Sequence, residues 1–372
     1  MTHFLIHALL RVSLLFIAII VNTAIATEQP IIKLGMSTAL TGPAKEIGYQ
    51  LYQGSSVYFT KLNKTGGING AKVQLLVADD GYEPQRAVHN THHFITNEGV
   101  LALFGSMGTP TSHAVSPILE KLQIPYLMPF SGAEFLHTDP TVNVFNIRAS
   151  YYDEANVQIK HLVEEKKHTK IGFLIQADEF GYVVETGLLK ALSQYGLKPV
   201  KVARYLRNTH DVAQALKALK DSGATAICLV GTYKPLSEFI NTAYQQGFQP
   251  DYTSISFASS SDLFANLKYS TNLMVTEVVP NPLACKSTWC LKFLKDMKDA
   301  NITTPNRLHF EGYLNAVLFD LAAKRCQQPL HHLCLMTQLK ETFNKNEQLN
   351  TLFINKKNVN EHSVYRSFFS LK

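Results

Sequence analysis

Short apolar runs alternate with longer amphipathic stretches along almost the whole chain. In the first half, strands are predicted at residues 31–37, 73–79, 100–104 and 125–128, and helices at 48–64, 83–97 and 109–121. Apolar runs this short, separated by stretches with a helical period, are typical of parallel strands joined by helical crossovers. The pattern therefore predicts an α/β fold with helices on both faces of a parallel sheet.

The same alternation restarts after residue 151. Helices are predicted at residues 153–166, 179–195, 211–222 and 236–246, with strands at 171–176, 199–203, 226–230 and 253–257. Residues 273–282 then end in a proline break and are expected to cross back, so that helices 288–299 and 311–325 pack on the first run. The strand-like tail, 365–371, would complete the second run or the connection between the two. Two lobes of similar build follow from this repetition.

The N-terminus has the pattern of a secretory signal. Arg11 is its only full charge, residues 12–21 are apolar, and Ala24-Ile25-Ala26 supplies the small residues of a cleavage site. An apolar run of about ten residues is shorter than the roughly 20 that a spanning helix needs, so an uncleaved anchor is the weaker alternative. Residues 1–26 are predicted to be a signal peptide cleaved after Ala26, which places the protein in the periplasm.

Charge gives little indication of a macromolecular partner. The net charge is +6 over 372 residues, and no basic block stands out. Nucleic-acid binding is therefore not predicted. The chain is long enough for two lobes of ordinary domain size.

All five cysteines lie in the second half of the chain. Cys228 falls in a predicted buried strand and is expected to be an inert core residue. In an oxidising compartment, Cys285 with Cys290 and Cys326 with Cys334 are the favoured disulfides, although four cysteines allow three connectivities. A zinc site using His331 and His332 is the alternative, but neither spacing matches a zinc-ligand pattern.

Short motifs that contain glycine, serine or threonine follow most of the predicted strands, and one lies between the first predicted helix and the next strand. They lie at residues 37–43, 66–70, 79–84, 105–111, 129–134 and 145–151. The carboxyl ends of parallel strands are where an open α/β sheet presents its ligand site. In order and spacing, these motifs resemble the type I periplasmic solute-binding proteins, the family of the branched-chain amino-acid receptors of ABC importers.

The resemblance implies two similar Rossmann-like lobes joined by a three-strand hinge. The N-terminal lobe would comprise residues 27–149 and 280–330, and the C-terminal lobe residues 150–279 and 331–372. The chain would cross between the lobes at residues 148–151, at 275–280 and near residue 330.

Thr109-Pro110-Thr111 is the strongest local indication of a binding site. Threonine is a good N-cap and proline suits the first helical turn, so the tripeptide predicts a helix start whose free N–H groups favour an anion such as a carboxylate. The resemblance extends the predicted ligand-binding set to both lobes: Ser106, Thr109, Ser131, Gly132, Tyr151, Phe180, Thr232, Tyr233 and Ser259. Phe180 matches a family position held by an aromatic residue that covers the ligand.

The sequence departs from the branched-chain receptors near Ser259. Amino-acid receptors carry an acid there that pairs with the ligand ammonium, and residues 257–261 contain none. Glu179 or Asp262 would be the substitutes, although an acid at a helix start commonly acts as a cap. The ligand is therefore an α-amino acid or another small carboxylate, an amide or a polyol.

The function that the resemblance implies is that of an extracytoplasmic substrate-binding protein. It would close around a small polar solute and deliver it to the permease of an ABC importer, as a monomer and without cofactor or metal. A ligand sensor for a membrane kinase or cyclase is the alternative. An enzyme, such as a hydrolase of small amides, would need an activated nucleophile, and no serine lies in a Gly-x-Ser-x-Gly elbow.

Overall fold

The computed structural model describes residues 29–138, 143–354 and 362–370. The predicted signal peptide, residues 1–26, and its cleavage site lie outside these residues. Within the described ranges, every helix is too short or too polar to cross a membrane.

Two sheets form the frame of the molecule, each in its own lobe. The first has the strand order β2-β1-β3-β4-β5 and is parallel throughout; its strands are β1 (Ile31–Thr38), β2 (Lys72–Asp79), β3 (Ala102–Phe104), β4 (Tyr126–Leu127) and β5 (Val144–Phe145). The second has the order β11-β10-β9-β8-β6-β7; its strands are β6 (Ile171–Gln176), β7 (Lys201–Tyr205), β8 (Ala226–Val230), β9 (Asp251–Ser254), β10 (Leu273–Glu277) and β11 (Tyr365–Phe368). Only β11 pairs antiparallel in the described part of this sheet.

Helices connect the strands as predicted for an α/β fold. They are α1 (Lys45–Lys64), α2 (Pro84–His93), α3 (Thr109–Leu122), α4 (Phe135–Thr138), α5 (Tyr151–Lys160), α6 (Glu179–Ser193), α7 (Ala213–Asp221), α8 (Tyr233–Gln245), α9 (Ser260–Ala265), α10 (Thr288–Asp299), α11 (Arg307–Ala323), α12 (His332–Lys345) and α13 (Glu347–Asn350). Helices α2 and α5 each continue into a π-helical turn, Phe94–Glu98 and His161–Glu165.

The predicted elements agree with the structure most closely where apolar runs are continuous. Strands β6 and β8 have the predicted bounds, and every residue of both is buried, as expected for central strands of a parallel sheet. Cys228, in β8, is fully buried and free, which agrees with its predicted core role. Helix α8 begins three residues earlier than predicted because Pro235 falls in its first turn, where proline is tolerated.

The third crossing between the lobes was predicted near residue 330, and that position is wrong. Helix α12 packs on α11, and its Leu335, Leu339 and Phe343 are buried in the core of the first lobe. The ring of Phe343 lies 6.4 Å from that of Phe145 in β5. Residues 331–354 therefore belong to the first lobe, and only β11 of the tail belongs to the second.

The chain passes between the lobes at two earlier points. The chain leaves the first lobe at residues 148–151 and enters α5, and it returns just after β10, where Val278 and Val279 are buried in the core of the first lobe. The third connection lies between Val364, which packs against the core of the first lobe, and β11 of the second sheet.

Both predicted disulfide pairings are present in the structure. Cys285 is bonded to Cys290 at the start of α10, and Cys326 is bonded to Cys334 between α11 and α12. All four sulfur atoms are used in these bonds, so none is available as a zinc ligand. Both bonds lie in the first lobe.

Candidate functional site

Three hydroxyl groups meet at the carboxyl edge of the first sheet. The Oγ1 of Thr109 lies 2.8 Å from the Oγ of Ser131 and 3.3 Å from the phenolic oxygen of Tyr151. All three residues are fully buried. We call Thr109, Ser131 and Tyr151 the hydroxyl cluster.

The topology of the sheet brings these residues together. Strands β3 and β4 are parallel neighbours, so the loops that follow them emerge side by side. The N–H of Gly108 donates to the carbonyl of Phe130 at 3.1 Å, which joins the two loops just before Thr109 and Ser131. Ser150 and Asp153 form a capping box that starts α5 and places Tyr151 in its first turn.

Two glycines allow this close packing. A Cβ atom at Gly108, whose φ is +110°, would lie 2.5 Å from the ring of Tyr82. A Cβ atom at Gly132 would lie 2.8 Å from both the carbonyl oxygen of Ala149 and the ring of Tyr151. A side chain at either position would displace an aromatic residue that borders the hydroxyl cluster.

Ser106 has a different role from the hydroxyl cluster. It is buried, and its Oγ accepts a hydrogen bond from the backbone N–H of Ser37 at 3.2 Å. This bond connects the ends of β1 and β3. The structure therefore gives Ser106 a part in fixing the loops around the site.

An aromatic cluster packs against the hydroxyl cluster and shares Tyr151 with it. Its rings come from both sides of the cleft: Tyr82, Phe130, Tyr151, Phe180 and Phe257. The ring centroids of Phe180 and Phe257 are 4.6 Å apart, and the ring of Tyr151 lies 5.4 Å from that of Phe180. None of the five is more than 2% exposed. Phe180 therefore packs between Tyr151 of the hydroxyl cluster and Phe257.

The other predicted residues of the second lobe lie elsewhere in the interlobe region. Thr232 and Tyr233 begin α8, and Ser259 precedes α9 with a φ of +59°. Ser259 donates to the carboxylate of Asp262. In the described residues, no hydrogen bond or ring contact joins Thr232, Tyr233 or Ser259 to the hydroxyl cluster.

Hydrogen bonds close the cleft at two edges. At one edge, the Nε2 of Gln50 in α1 donates to Asp262 at 3.2 Å, and its Oε1 accepts from Asn306 at 2.7 Å. At the other, Asn208 donates to the carbonyl of Gly81 at 3.0 Å and to the carboxylate of Glu83 at 2.6 Å. The two lobes are therefore in contact on both sides of the buried clusters.

A buried charged network lies at the hinge. The guanidinium of Arg148 donates to Glu311 of the first lobe at 2.5 Å and to Ser256 of the second at 2.6 Å. Ser256 in turn donates to Glu154 at 2.8 Å. The Cζ of Arg148 lies 4.1 Å from the ring centroid of Phe130, within the range of a cation–π contact.

Burial and charge act in opposite directions on the Tyr151 phenol. Burial raises its pKa, while the charge of Arg148 and the hydrogen bonds from Ser131 and Thr109 lower it. The pKa of the phenol is raised overall, so the phenol is neutral at ordinary pH and can donate a hydrogen bond. The cluster therefore presents neutral hydroxyl groups beside a buried arginine whose charge is paired with Glu311.

Acids near the cleft already have hydrogen-bond partners. Burial raises the pKa of Asp80 to about 6 and that of Asp178 to about 6. Asp80 accepts from Ser37 at 2.7 Å, and Asp178 accepts from the N–H of Gly181 at 3.2 Å as the N-cap of α6. Glu179 is exposed, so it does not face the clusters. In the described residues, no group of three or more His, Cys, Asp or Glu side chains could hold a metal ion.

Sequence reasoning missed the residues that act through contacts between lobes. Tyr82, Phe130 and Phe257 complete the aromatic cluster, and Arg148 anchors the hinge. Phe130, Arg148 and Tyr82 lie inside motifs that were singled out, so their positions carried a signal. Gln50 had none, because its partner Asp262 lies 212 residues further on.

Two α/β lobes that meet over buried hydroxyl groups and aromatic rings have the architecture of a two-lobed binding protein. A family model described as periplasmic binding protein matches residues 31–364, and the chain belongs to that family.

Curated and solved relatives agree with this assignment. The chain is 25% identical to Leu/Ile/Val-binding protein homolog 3 of Brucella melitensis over 200 residues, which cover 54% of each protein. The match thus spans about half the length of that curated relative. A possible leucine/isoleucine/valine-binding protein from Rhodopirellula baltica SH 1 has a similar structure, with a TM-score of 0.84, 28% identity, and coverage of 92% of this chain and 95% of that one.

A third protein shares the fold at lower identity. It is a fatty acid ABC transporter substrate-binding protein from Thermomonospora curvata, with a TM-score of 0.77, 20% identity, and coverage of 91% of this chain and 92% of that one.

Proposed function

We propose that this chain is the extracytoplasmic solute-binding component of an ABC importer and that it closes around a small polar solute, an amino acid or a similar carboxylate. The observation that carries the proposal is the hydroxyl cluster at the start of α3, buried between two lobes that meet. Hydroxyl donors beside the free N–H groups of a helix start suit a carboxylate. The proposed site comprises the hydroxyl cluster, Gly132 and Phe180, with Ser106 fixing its loops.

Such a receptor signals that it holds a solute by closing its cleft. Each lobe contributes part of the site, so a solute contacts both walls only when the cleft is shut, and this differential affinity shifts the open–closed equilibrium. The permease of the importer would recognise the closed surface. The names of relatives, including an ABC transporter component, support this partner. No catalytic step is proposed.

The proposal gives a different role to the remaining predicted residues of the second lobe. Thr232, Tyr233 and Ser259 lie near the edge where Gln50 meets Asp262, and we assign them to closure of the lobes around the solute. The sensor alternative gains no support from the comparisons, since the relatives reported above are named as binding or transport proteins.

A thermal-shift screen tests the proposal. The purified protein is melted with amino acids, other small carboxylates, amides and polyols. A solute at about 100 times its dissociation constant adds roughly 2.7 kcal/mol to the native state, which is readily seen. A shift with one chemical class is the expected result. No shift with any compound, for a protein shown to be folded, would contradict the receptor function.

A further inference from the structure

Tyr151 connects the hydroxyl cluster directly to the aromatic cluster. Its phenolic oxygen is 3.3 Å from the Oγ1 of Thr109, while its ring is 5.4 Å from the ring of Phe180. A carboxylate bound at the hydroxyl cluster therefore has the rest of its molecule among aromatic side chains. The second lobe supplies two of these rings, Phe180 and Phe257, and both are fully buried.

The acid nearest the Ser259 position is engaged in closing the cleft. One carboxylate oxygen of Asp262 accepts from Ser259, and the other accepts from Gln50 across the lobes at 3.2 Å. An ammonium group that took Asp262 as its partner would compete with the hydrogen bond that joins the lobes. Asp262 thus serves closure of the cleft, with both of its oxygens accepting hydrogen bonds from the protein itself.

The other acids around the cleft fix the protein's own backbone. Both oxygens of Asp80 accept hydrogen bonds, from the Ser37 hydroxyl and from the Tyr82 N–H, each at 2.7 Å. Asp178 accepts from the Gly181 N–H and, at 2.7 Å, from Gln176. An ammonium group buried in this cleft would lack a dedicated counter-charge, and burying an unpaired charge is costly.

Glu134, Arg148 and Glu154 are further charged residues near the hydroxyl cluster. Glu134 lies close to Tyr152, whose pKa is raised by burial and by the Glu134 charge. Arg148 is on the Tyr151 side, where its positive charge lowers the pKa of that phenol against the effect of burial. The charges that act on the hydroxyl cluster are therefore balanced within the protein, because Arg148 is paired with Glu311 and the Glu154 carboxylate acts on Tyr151 in the opposite direction.

We propose that the solute is a carboxylic acid with an apolar, ring-sized body and no cationic amine, and that Phe180 and Phe257 determine this preference. The inference rests on the proposed function and narrows its ligand class. The carboxylate would bind at the hydroxyl cluster and the α3 N-terminus, and the body would contact the aromatic cluster when the lobes close.

Matched pairs of compounds test the missing amine. The purified protein, stripped of bound solute by unfolding and refolding, is titrated calorimetrically with 3-phenylpropanoate and L-phenylalanine, and with 4-methylpentanoate and L-leucine. We expect each acid to bind at least tenfold more tightly than its amino-acid partner. We expect 3-phenylpropan-1-ol, which has the ring without the carboxylate, to bind more weakly than 3-phenylpropanoate by a similar factor.

Two conservative variants test the role of the rings. Phe180→Leu and Phe257→Leu keep an apolar side chain but remove the aromatic faces. Each is expected to weaken 3-phenylpropanoate about tenfold and 4-methylpentanoate much less, because the aliphatic body has no ring to stack. Phe239→Leu is the matched control, since Phe239 is also fully buried in the second lobe but contacts Tyr252 instead of the cleft.

The outcomes separate the inference from the proposed function. An amino acid that binds more tightly than its acid partner would overturn the inference and leave the receptor function intact. An amide or polyol that binds when all four probes fail would do the same. Failure of the four probes together with a silent thermal-shift screen would overturn both. If Phe257→Leu and Phe239→Leu lost equal affinity for 3-phenylpropanoate, the aromatic rings of the cleft would not determine the specificity.

Discussion

The two lobes have the same build but bring different chemistry to the cleft. The first lobe contributes hydroxyl groups held by its backbone, and it contains both disulfides. The second contributes aromatic rings, and its described residues hold a free cysteine and no disulfide. A polar anion site needs exact hydrogen-bond geometry, whereas an apolar wall needs only contact. We call the hydroxyl groups of the first lobe the polar wall and the aromatic rings of the second lobe the cover. The two disulfides constrain the lobe that holds the polar wall.

Reduction of the disulfides should give the largest effect and should act on the first lobe. Each bond closes a short loop, for which the entropic contribution to stability is about 2 kcal/mol. We expect reductant to lower the melting temperature measured by circular dichroism, and Cys285→Ser with Cys290→Ser to reproduce part of the loss. The variant Cys228→Ala, in the second lobe, should show the same sensitivity to reductant as the parent. Superimposable melting curves with and without reductant would show that the disulfides do not stabilise the first lobe.

Gly132→Ala should disrupt the hydroxyl cluster while leaving the Phe180 and Phe257 side chains of the second lobe in place. The added methyl would lie 2.8 Å from the ring of Tyr151 and so would move that ring away from Thr109. We expect about a 100-fold loss of solute affinity, equivalent to about 2.7 kcal/mol, measured by calorimetry with the solute found in the screen. Gly172→Ala is the control, because its methyl would press on the end of the Leu219 side chain, in the second lobe. Equal affinity losses in the two variants would refute a specific role for Gly132.

Thr109→Val should test the hydroxyl itself while keeping the shape of the side chain. It removes the hydrogen bonds to Ser131 and Tyr151, so the affinity for a carboxylate should fall about tenfold, or about 1.4 kcal/mol. Thr111→Val is the matched control, since the Oγ1 of Thr111 donates only within its own helix and loop, to Met107 and Gly108. If both variants bind like the parent, Thr109 is not a ligand residue.

Glu277 links the two lobes through a titratable contact and gives the smallest effect. It ends β10, accepts from Ser367 at 3.2 Å, and lies 3.7 Å from Arg307 of α11. Burial raises its pKa to about 7, so the folded protein keeps a proton that the unfolded chain has lost. Stability from this group is therefore present at low pH and is lost as the pH rises through 7.

The change for one such group is about 1 kcal/mol between pH 6 and pH 8. Glu277→Gln should flatten the corresponding slope in chemical unfolding curves, whereas Glu341→Gln on α12 should leave it unchanged. If the parent protein were as stable at pH 8 as at pH 6, and if Glu277→Gln behaved in the same way, the raised pKa of Glu277 would be contradicted.

The polar wall was more predictable from sequence than the cover. Thr109 and Pro110 give a local helix-start signal, and Ser131 and Tyr151 lie in motifs at the ends of strands, so their meeting follows from the order of parallel strands. The ring of Phe257 contacts Tyr82 and Phe130, which are more than 100 residues away, and no local pattern specifies such a pair. Lobe boundaries failed for a related reason: the apolar spacing of Leu335, Leu339 and Phe343 indicates a buried helix face without indicating which lobe buries it.

The late position of β11 has a consequence for the order of folding. This strand pairs with β10 at the edge of the second sheet, although it is separated from β10 by the segments that complete the first lobe. A chain that ends before residue 365 would leave the edge of β10 uncovered, and bare edges invite pairing with other chains. Completion of the second sheet therefore depends on a strand that follows the described segments of the first lobe in the sequence.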